Sequence, residues 1–157
     1  VSLVAGIDYS TFAIDVVLLD EDTMAATWRR YELEGHDPFE RARDVARAYE
    51  DGLNEWEDVL AVGIEEPPYV NNHKTLRDLA RVQGAILARL PRNLMVQEWT
   101  PSQWRKVIGL PGNATKDDVM TFTDHDRLHA AAGVWPQDAC DAYCIALATL
   151  RRLEKEN

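Results

Sequence analysis

Leu3-Val4-Ala5-Gly6-Ile7-Asp8 and Val59-Leu60-Ala61-Val62-Gly63-Ile64-Glu65 are two apolar runs that each end in a carboxylate. A short, unbroken apolar run is the pattern of a strand buried on both faces. If two such strands lie side by side and parallel, both acids emerge at the carboxyl edge of one sheet, where ligands of α/β sheets bind. The rest of the chain has to supply the connection that makes them parallel.

Between them, Phe12 to Asp20 and Met24 to Leu33 are β-prone runs bounded by Tyr9-Ser10-Thr11 and Glu21-Asp22-Thr23, which predicts a three-stranded antiparallel meander. Pro38 opens a helix to about Trp56, with Phe39, Ala42, Val45, Ala46, Tyr49 and Leu53 at helical spacing. That helix is the crossover a fourth strand needs to run parallel to the first. From His73 to Leu90, Leu76, Leu79, Val82, Ile86 and Leu90 form a stripe that Ala80, Gln83, Gly84 and Leu87 widen. So broad an apolar surface needs cover on two sides, by the sheet and by a second copy of the chain. Leu94 to Glu98 reads as a last strand, Ser102 to Val107 as a short helix after Pro101, and Gln137 to Leu153 as a long closing helix. The expectation is an α/β fold of RNase H-like topology in one domain over 1–157: a five-stranded mixed sheet, three antiparallel strands then parallel additions, flanked by helices.

The net charge of -10 argues against a uniformly phosphate-binding surface. The charge is unevenly spread, however. Residues 1–70 carry 5 basic and 17 acidic side chains, whereas 71–116 carry 8 basic and 2 acidic. This basic island, Lys74, Arg77, Arg81, Arg89, Arg92, Arg105, Lys106 and Lys116, is a candidate nucleic-acid surface. The opening apolar run stops at Asp8 and has no basic flank, so it reads as neither signal peptide nor membrane span, and a cytoplasmic protein is expected. Cys140 and Cys144 have no further cysteine or paired histidine to complete a zinc set and read as reduced, buried residues.

Asp138 and Asp141 stand three apart at the start of the closing helix, on one face and at the end that favours negative charge. Alone, each acid has a structural reading: Asp8 as a turn residue, Glu65 as an arginine partner, Asp138 as an N-cap. Together, Asp8, Glu65, Asp138 and Asp141 form an oxygen-only donor set that suits Mg²⁺ or Mn²⁺ rather than zinc. Two such ions about 4 Å apart would serve phosphodiester hydrolysis. Glu66 ranks lower, since adjacent strand residues point to opposite faces. His125 and His129 read as surface residues, and Trp104 and Trp135 as core.

Gly6-Ile7-Asp8, Gly63-Ile64-Glu65-Glu66 and Asp138-Ala139-Cys140-Asp141-Ala142 resemble, in order and separation, the three acidic motifs of the RuvC family of Holliday-junction resolvases. Ala80-Arg81-Val82-Gln83-Gly84 is similar to the family's dimer-forming helix. Pro101-Ser102-Gln103-Trp104-Arg105-Lys106, with Gly109 and Ala114-Thr115-Lys116, resembles its basic segment. The resemblance implies a homodimer, joined through the 73–90 helix, that binds four-way DNA junctions and nicks two opposing strands symmetrically with Mg²⁺. It makes the four carboxylates catalytic and places Arg105 and Lys116 near the scissile phosphate. Lys74, Arg77, Arg81 and Lys106 are further candidates for DNA contact.

Two departures stand out. Tyr9-Ser10 replaces the family's Pro-Gly after the first aspartate, and Pro67-Pro68-Tyr69-Val70 replaces a segment that carries an aromatic wedge, for which Tyr69 is the candidate. With the overall acidity, these suggest a bacteriophage-type member that also acts on forks and flaps. A non-catalytic binder of branched DNA and an RNase H acting on RNA-DNA hybrids are the alternatives. The likeness of Gly6 to Thr11 to the phosphate motif of sugar kinases is set aside, because those proteins need two such lobes.

Overall fold

The computed structural model describes residues 2–53, 56–127 and 134–156. Five strands, β1 (Leu3–Tyr9), β2 (Ala13–Asp20), β3 (Ala26–Glu32), β4 (Val59–Glu65) and β5 (Met95–Trp99), form one sheet in the order β3-β2-β1-β4-β5. β1, β2 and β3 pair antiparallel, while β4 joins β1, and β5 joins β4, in parallel. This is the expected mixed sheet, with Asp8 and Glu65 at neighbouring strand ends.

Helices cover both faces. α1 (Pro38–Ala48) and α2 (His73–Leu87) lie on one, and α5 (Gln137–Glu156) on the other with α3 (Pro101–Val107) and α4 (Lys116–Arg127) beside it. The strands alternate between two cores accordingly. Val4, Val17, Leu19, Trp99 and Trp104 pack under α5, while Ala5, Ile7, Ile14, Val62 and Ile64 pack under α1 and α2 with Val45, Val82 and Ile86.

The helix starts follow capping chemistry. Asp37 accepts from the backbone N–H groups of Phe39 and Glu40 ahead of Pro38, and Asn72 accepts from those of Lys74 and Thr75. Thr100 and Gln103 form a reciprocal capping box at α3.

Three helix ends and one whole helix differ from expectation, α5 running on to Glu156 where Leu153 was expected. α1 stops at Ala48 instead of running to Trp56. It passes into a π-helical turn over Tyr49–Leu53, where Gly52 takes a φ of 144° that ends the helix. α2 ends at Leu87 and not at Leu90. α4 was not expected at all, because Asp117, Asp118, Asp124 and Asp126 give it a polar sequence with a narrow apolar strip. Val119 and Thr123, one turn apart, are its fully buried contacts, and the Thr115 hydroxyl and Asp118 carboxylate cap each other's backbone N–H at its start.

α5 is buried almost all round, from Ala139 to Leu150 apart from Asp141. It seats directly against the sheet where Gly6 and Gly63, register partners on β1 and β4, leave a notch. A Cβ on Gly6 would lie 2.0 Å from the Ala142 carbonyl oxygen, and one on Gly63 would lie 2.1 Å from the Thr149 hydroxyl. Cys140 and Cys144 are buried and unlinked, as expected, and Trp104 and Trp135 are core residues. Among the described residues no helix is long and apolar enough to cross a membrane.

Candidate metal centre

The first turn of α5 lies over the end of β1. Asp8, Asp138 and Asp141 each bring a carboxylate oxygen to within 4.8 Å of the others. Glu65 stands close by at the end of β4 and accepts a hydrogen bond of 2.9 Å from the buried Trp104 indole N–H. Its field and those of Asp141 and Asp138 all bear on Asp8. Three of the four predicted acids therefore form a tight group and the fourth flanks it. Glu66, the lower-ranked neighbour, has left the strand and donates its backbone N–H to the Trp99 carbonyl.

The electrostatics are those of like charges crowded together and partly buried. Burial, then Asp141, Glu65, Asp138 and Asp15, push the Asp8 carboxyl well above the ordinary carboxylate range. Burial, with Glu65 and Asp138, pushes Asp141 up to about 7 despite Arg105 and the Gln137 side chain. Burial raises Glu65 as well, opposed by the Trp104 hydrogen bond and by Arg105. Like charges packed this way either hold protons or hold a cation. An all-oxygen set of converging carboxylates fits a hard divalent ion, and Asp8, Asp138 and Asp141 would hold it, with Glu65 alongside.

Arg105, on α3, is the basic-island residue whose charge reaches this site. Its guanidinium lies over the Trp104 ring, 5.1 Å from the centroid, and donates to the Gly112 carbonyl at 3.3 Å. Lys106 is next to it, and Lys116 opens α4 with an exposed side chain. Lys74 and Arg77 are exposed on the first turns of α2. Arg81 instead turns inward: it pairs with the buried Asp78 at 2.6 Å and lies over the Phe39 ring at 4.5 Å. Tyr69, in the loop between β4 and α2, is 92% exposed. His125 lies exposed on α4, and His129 falls outside the described residues.

Sequence reasoning missed two residues at the edge of the site. Asp15 on β2 is the register partner of Asp8, and Arg30 on β3 is the register partner of Asp15. Asp15 is buried and takes a 2.9 Å hydrogen bond from the Trp28 indole. Burial raises its pKa, and Trp28 and Arg30 oppose the rise. One Arg30 nitrogen lies 3.2 Å from Asp15 and 3.3 Å from Asp138. A lone acid inside Ala13-Ile14-Asp15-Val16-Val17-Leu18-Leu19 was the available signal, since a charge on the inward face of such a strand needs a partner.

A family model described as "Crossover junction endodeoxyribonuclease RuvC" matches residues 22–149. Curated relatives of that same description include those of Salinibacter ruber, 35% identical over 85 residues, 54% of this chain and 47% of the relative, and Aliarcobacter butzleri, 34% identical over 93 residues, 59% and 60%. The alignments thus span about half of those relatives' lengths. Among solved structures, Thermus thermophilus RuvC superposes with a TM-score of 0.78 at 18% identity over 98% of this chain and 96% of that one. The same protein in complex with a Holliday junction substrate superposes with a TM-score of 0.77 at 19% identity, over 99% and 96%. The solved structures show a shared fold, and the family model covers the third acidic motif together with most of the chain: this protein belongs to the RuvC family.

Proposed function

We propose that the protein is a structure-specific endodeoxyribonuclease that resolves four-way DNA junctions by metal-dependent phosphodiester hydrolysis. The observation that carries this reading is the convergence of Asp8, Asp138 and Asp141 beside Glu65, in a chain of the RuvC family. A relative in that family has been solved on a Holliday junction substrate. Retention of four mutually repelling, partly buried acids has no structural benefit of its own, which favours a nuclease over a non-catalytic binder.

Mg²⁺, or Mn²⁺ in its place, is the ion such a donor set would select, and a pair of ions would activate a water and stabilise the leaving oxygen. The chain's own residues have separable tasks. Asp8 and Asp141, from β1 and α5, set the distance between strand and helix donors. Trp104 fixes one Glu65 oxygen, which leaves the other free to face the site. Arg105 supplies positive charge beside an acidic centre that would otherwise repel a phosphodiester, and Lys106 and Lys116 are further cations for the bound strand. Lys74 and Arg77 extend that surface along α2, and Tyr69 is available to stack on an unpaired base.

Paired incision needs two sites. Ala80, Gly84 and Leu87 lie exposed along α2, away from the sheet, and a Cβ on Gly84 would meet nothing within 4 Å. A second copy seated there would complete the cover that this helix surface calls for. Forks and flaps are further substrates in this reading.

The test is a substrate panel of end-labelled four-way junction, fork, flap, linear duplex and RNA-DNA hybrid, in Mg²⁺ or EDTA. Symmetric nicks in the junction and little cutting of duplex are expected. Cutting of forks and flaps alone would replace the resolvase reading with a debranching nuclease, and cutting of RNA-DNA hybrid in preference to all of them with an RNase H.

A further inference from the structure

Asp8, Asp15 and Arg30 form a row across β1, β2 and β3 on the face that α5 covers. Arg30 closes the row upward. Its Nη1 donates to Asp15 at 3.2 Å and to Asp138 at 3.3 Å, and its Nε donates to Glu32 at 2.9 Å. The anchor is rigid, because the Asp15 side chain is 3% exposed and also held by Trp28. The far end is looser: the Arg30 and Asp138 side chains are 34% and 50% exposed.

A guanidinium shared among three carboxylates is over-compensated and makes a poor clamp for a phosphate. It is well placed for something else. One of its nitrogens donates to Oδ2 of Asp138, which also belongs to the converging carboxylates. We infer that Arg30 is a built-in placeholder cation: its guanidinium competes with a divalent ion for Asp138 and so sets how tightly the free protein takes that ion up. This inference rests on the metal-dependent reading above.

Two consequences follow from charge alone. A fixed positive charge one carboxylate away opposes a divalent cation, so its removal tightens metal binding on the order of tenfold, the worth of a largely water-screened unit charge beside a divalent ion. That figure holds while Asp15 stays ionised; should Asp15 take up a proton, the two charge changes largely cancel and a smaller gain remains, from release of the Asp138 oxygen that Arg30 holds. With no metal present, the same removal leaves the acid group less compensated, so it repels DNA more strongly and junction affinity in EDTA falls. A purely structural role would move metal affinity the other way, because a loosened α5 terminus would scatter Asp138 and Asp141.

The experiment is Mn²⁺ binding to the free protein, read by the loss of the free-ion electron paramagnetic resonance signal, for wild type, Arg30→Gln, Arg30→Lys and the double variant Arg30→Gln with Asp15→Asn. Tighter binding by both variants that remove the charge, with Arg30→Lys near wild type, is expected. Unchanged or weaker binding by Arg30→Gln and by the neutralised double variant overturns the placeholder while leaving the metal centre standing. Absence of Mn²⁺ binding in wild type and variants alike overturns the metal centre, and the placeholder with it.

Discussion

Gly6→Ala puts one methyl group where α5 meets the sheet. The new Cβ would lie 2.0 Å from the Ala142 carbonyl oxygen and 2.5 Å from the Ala146 nitrogen, both backbone atoms that no rotamer change can move aside. Restoring even a 3.4 Å separation requires helix and strand to part by about 1.4 Å. Overpacking of this kind costs about 1–3 kcal/mol, against which alanine recovers roughly 0.5–1 kcal/mol of glycine's backbone entropy. A net loss of about 1 kcal/mol is therefore expected, a measurable part of a domain's usual 5–15 kcal/mol. The same displacement separates Asp138 and Asp141 from Asp8, and a misplacement of about 1 Å costs on the order of a hundredfold in rate. Urea unfolding and single-turnover junction cleavage, both with Mg²⁺, measure the two effects. A Gly6→Ala protein with wild-type stability and wild-type cleavage would refute the view that α5 must seat in the glycine notch to assemble the site.

Three further outcomes are expected. In EDTA, Asp141 holds a proton in the folded protein that the unfolded chain has already released, so stability falls as pH rises from the ordinary carboxylate range to about 7; urea midpoints across that window should show the slope, Asp141→Asn should make it shallower while Asp8 and Glu65 keep part of it, and a flat wild-type profile would contradict the crowding of the acids. Trp104→Phe removes the indole donor from Glu65, at a cost of about 1.5–3 kcal/mol for a hydrogen bond to a charged group. It should also move the acid limb of the cleavage-pH profile upward, because that bond holds the Glu65 pKa down; a limb that stays in place would remove Trp104 from the site. Arg77→Glu should weaken junction binding and lower its salt slope by about one for each phosphate it ceases to neutralise, with little change in stability, whereas Arg81→Glu should also destabilise the fold by breaking the 2.6 Å pair with the buried Asp78.

The sheet was legible because its signals are local and redundant. Two apolar runs ending in acid, a meander with turn residues between its strands, and a proline-initiated crossover leave few other topologies. The four carboxylates were legible for a related reason: charge at the end of a buried strand has few structural uses. The residues that escaped notice depend on register or on tertiary contact. Arg30 reaches Asp138 only because β2 and β3 pair in one particular register, which no local pattern states. α4 hid behind its own surface, since a helix that fully buries Val119 and Thr123 and only partly buries Met120 and Phe122 gives a weak periodic signal. Its Thr115-Lys116-Asp117-Asp118 capping pattern was present in the sequence and was the readable sign. The inward turn of Arg81 depends on Phe39 and Asp78 lying on adjoining helices, so charge counting alone placed it with the exposed basic residues.

Single-turnover cleavage of an end-labelled four-way junction by Asp8→Asn, Glu65→Gln, Asp138→Asn and Asp141→Asn, with junction binding measured on the same preparations, tests the central claim most directly. Wild-type protein should nick opposing strands only with Mg²⁺ or Mn²⁺, and each variant should bind the junction yet fail to cut. Cutting that persists in EDTA, or in the Asp8→Asn protein, would contradict a metal-dependent centre built on these carboxylates.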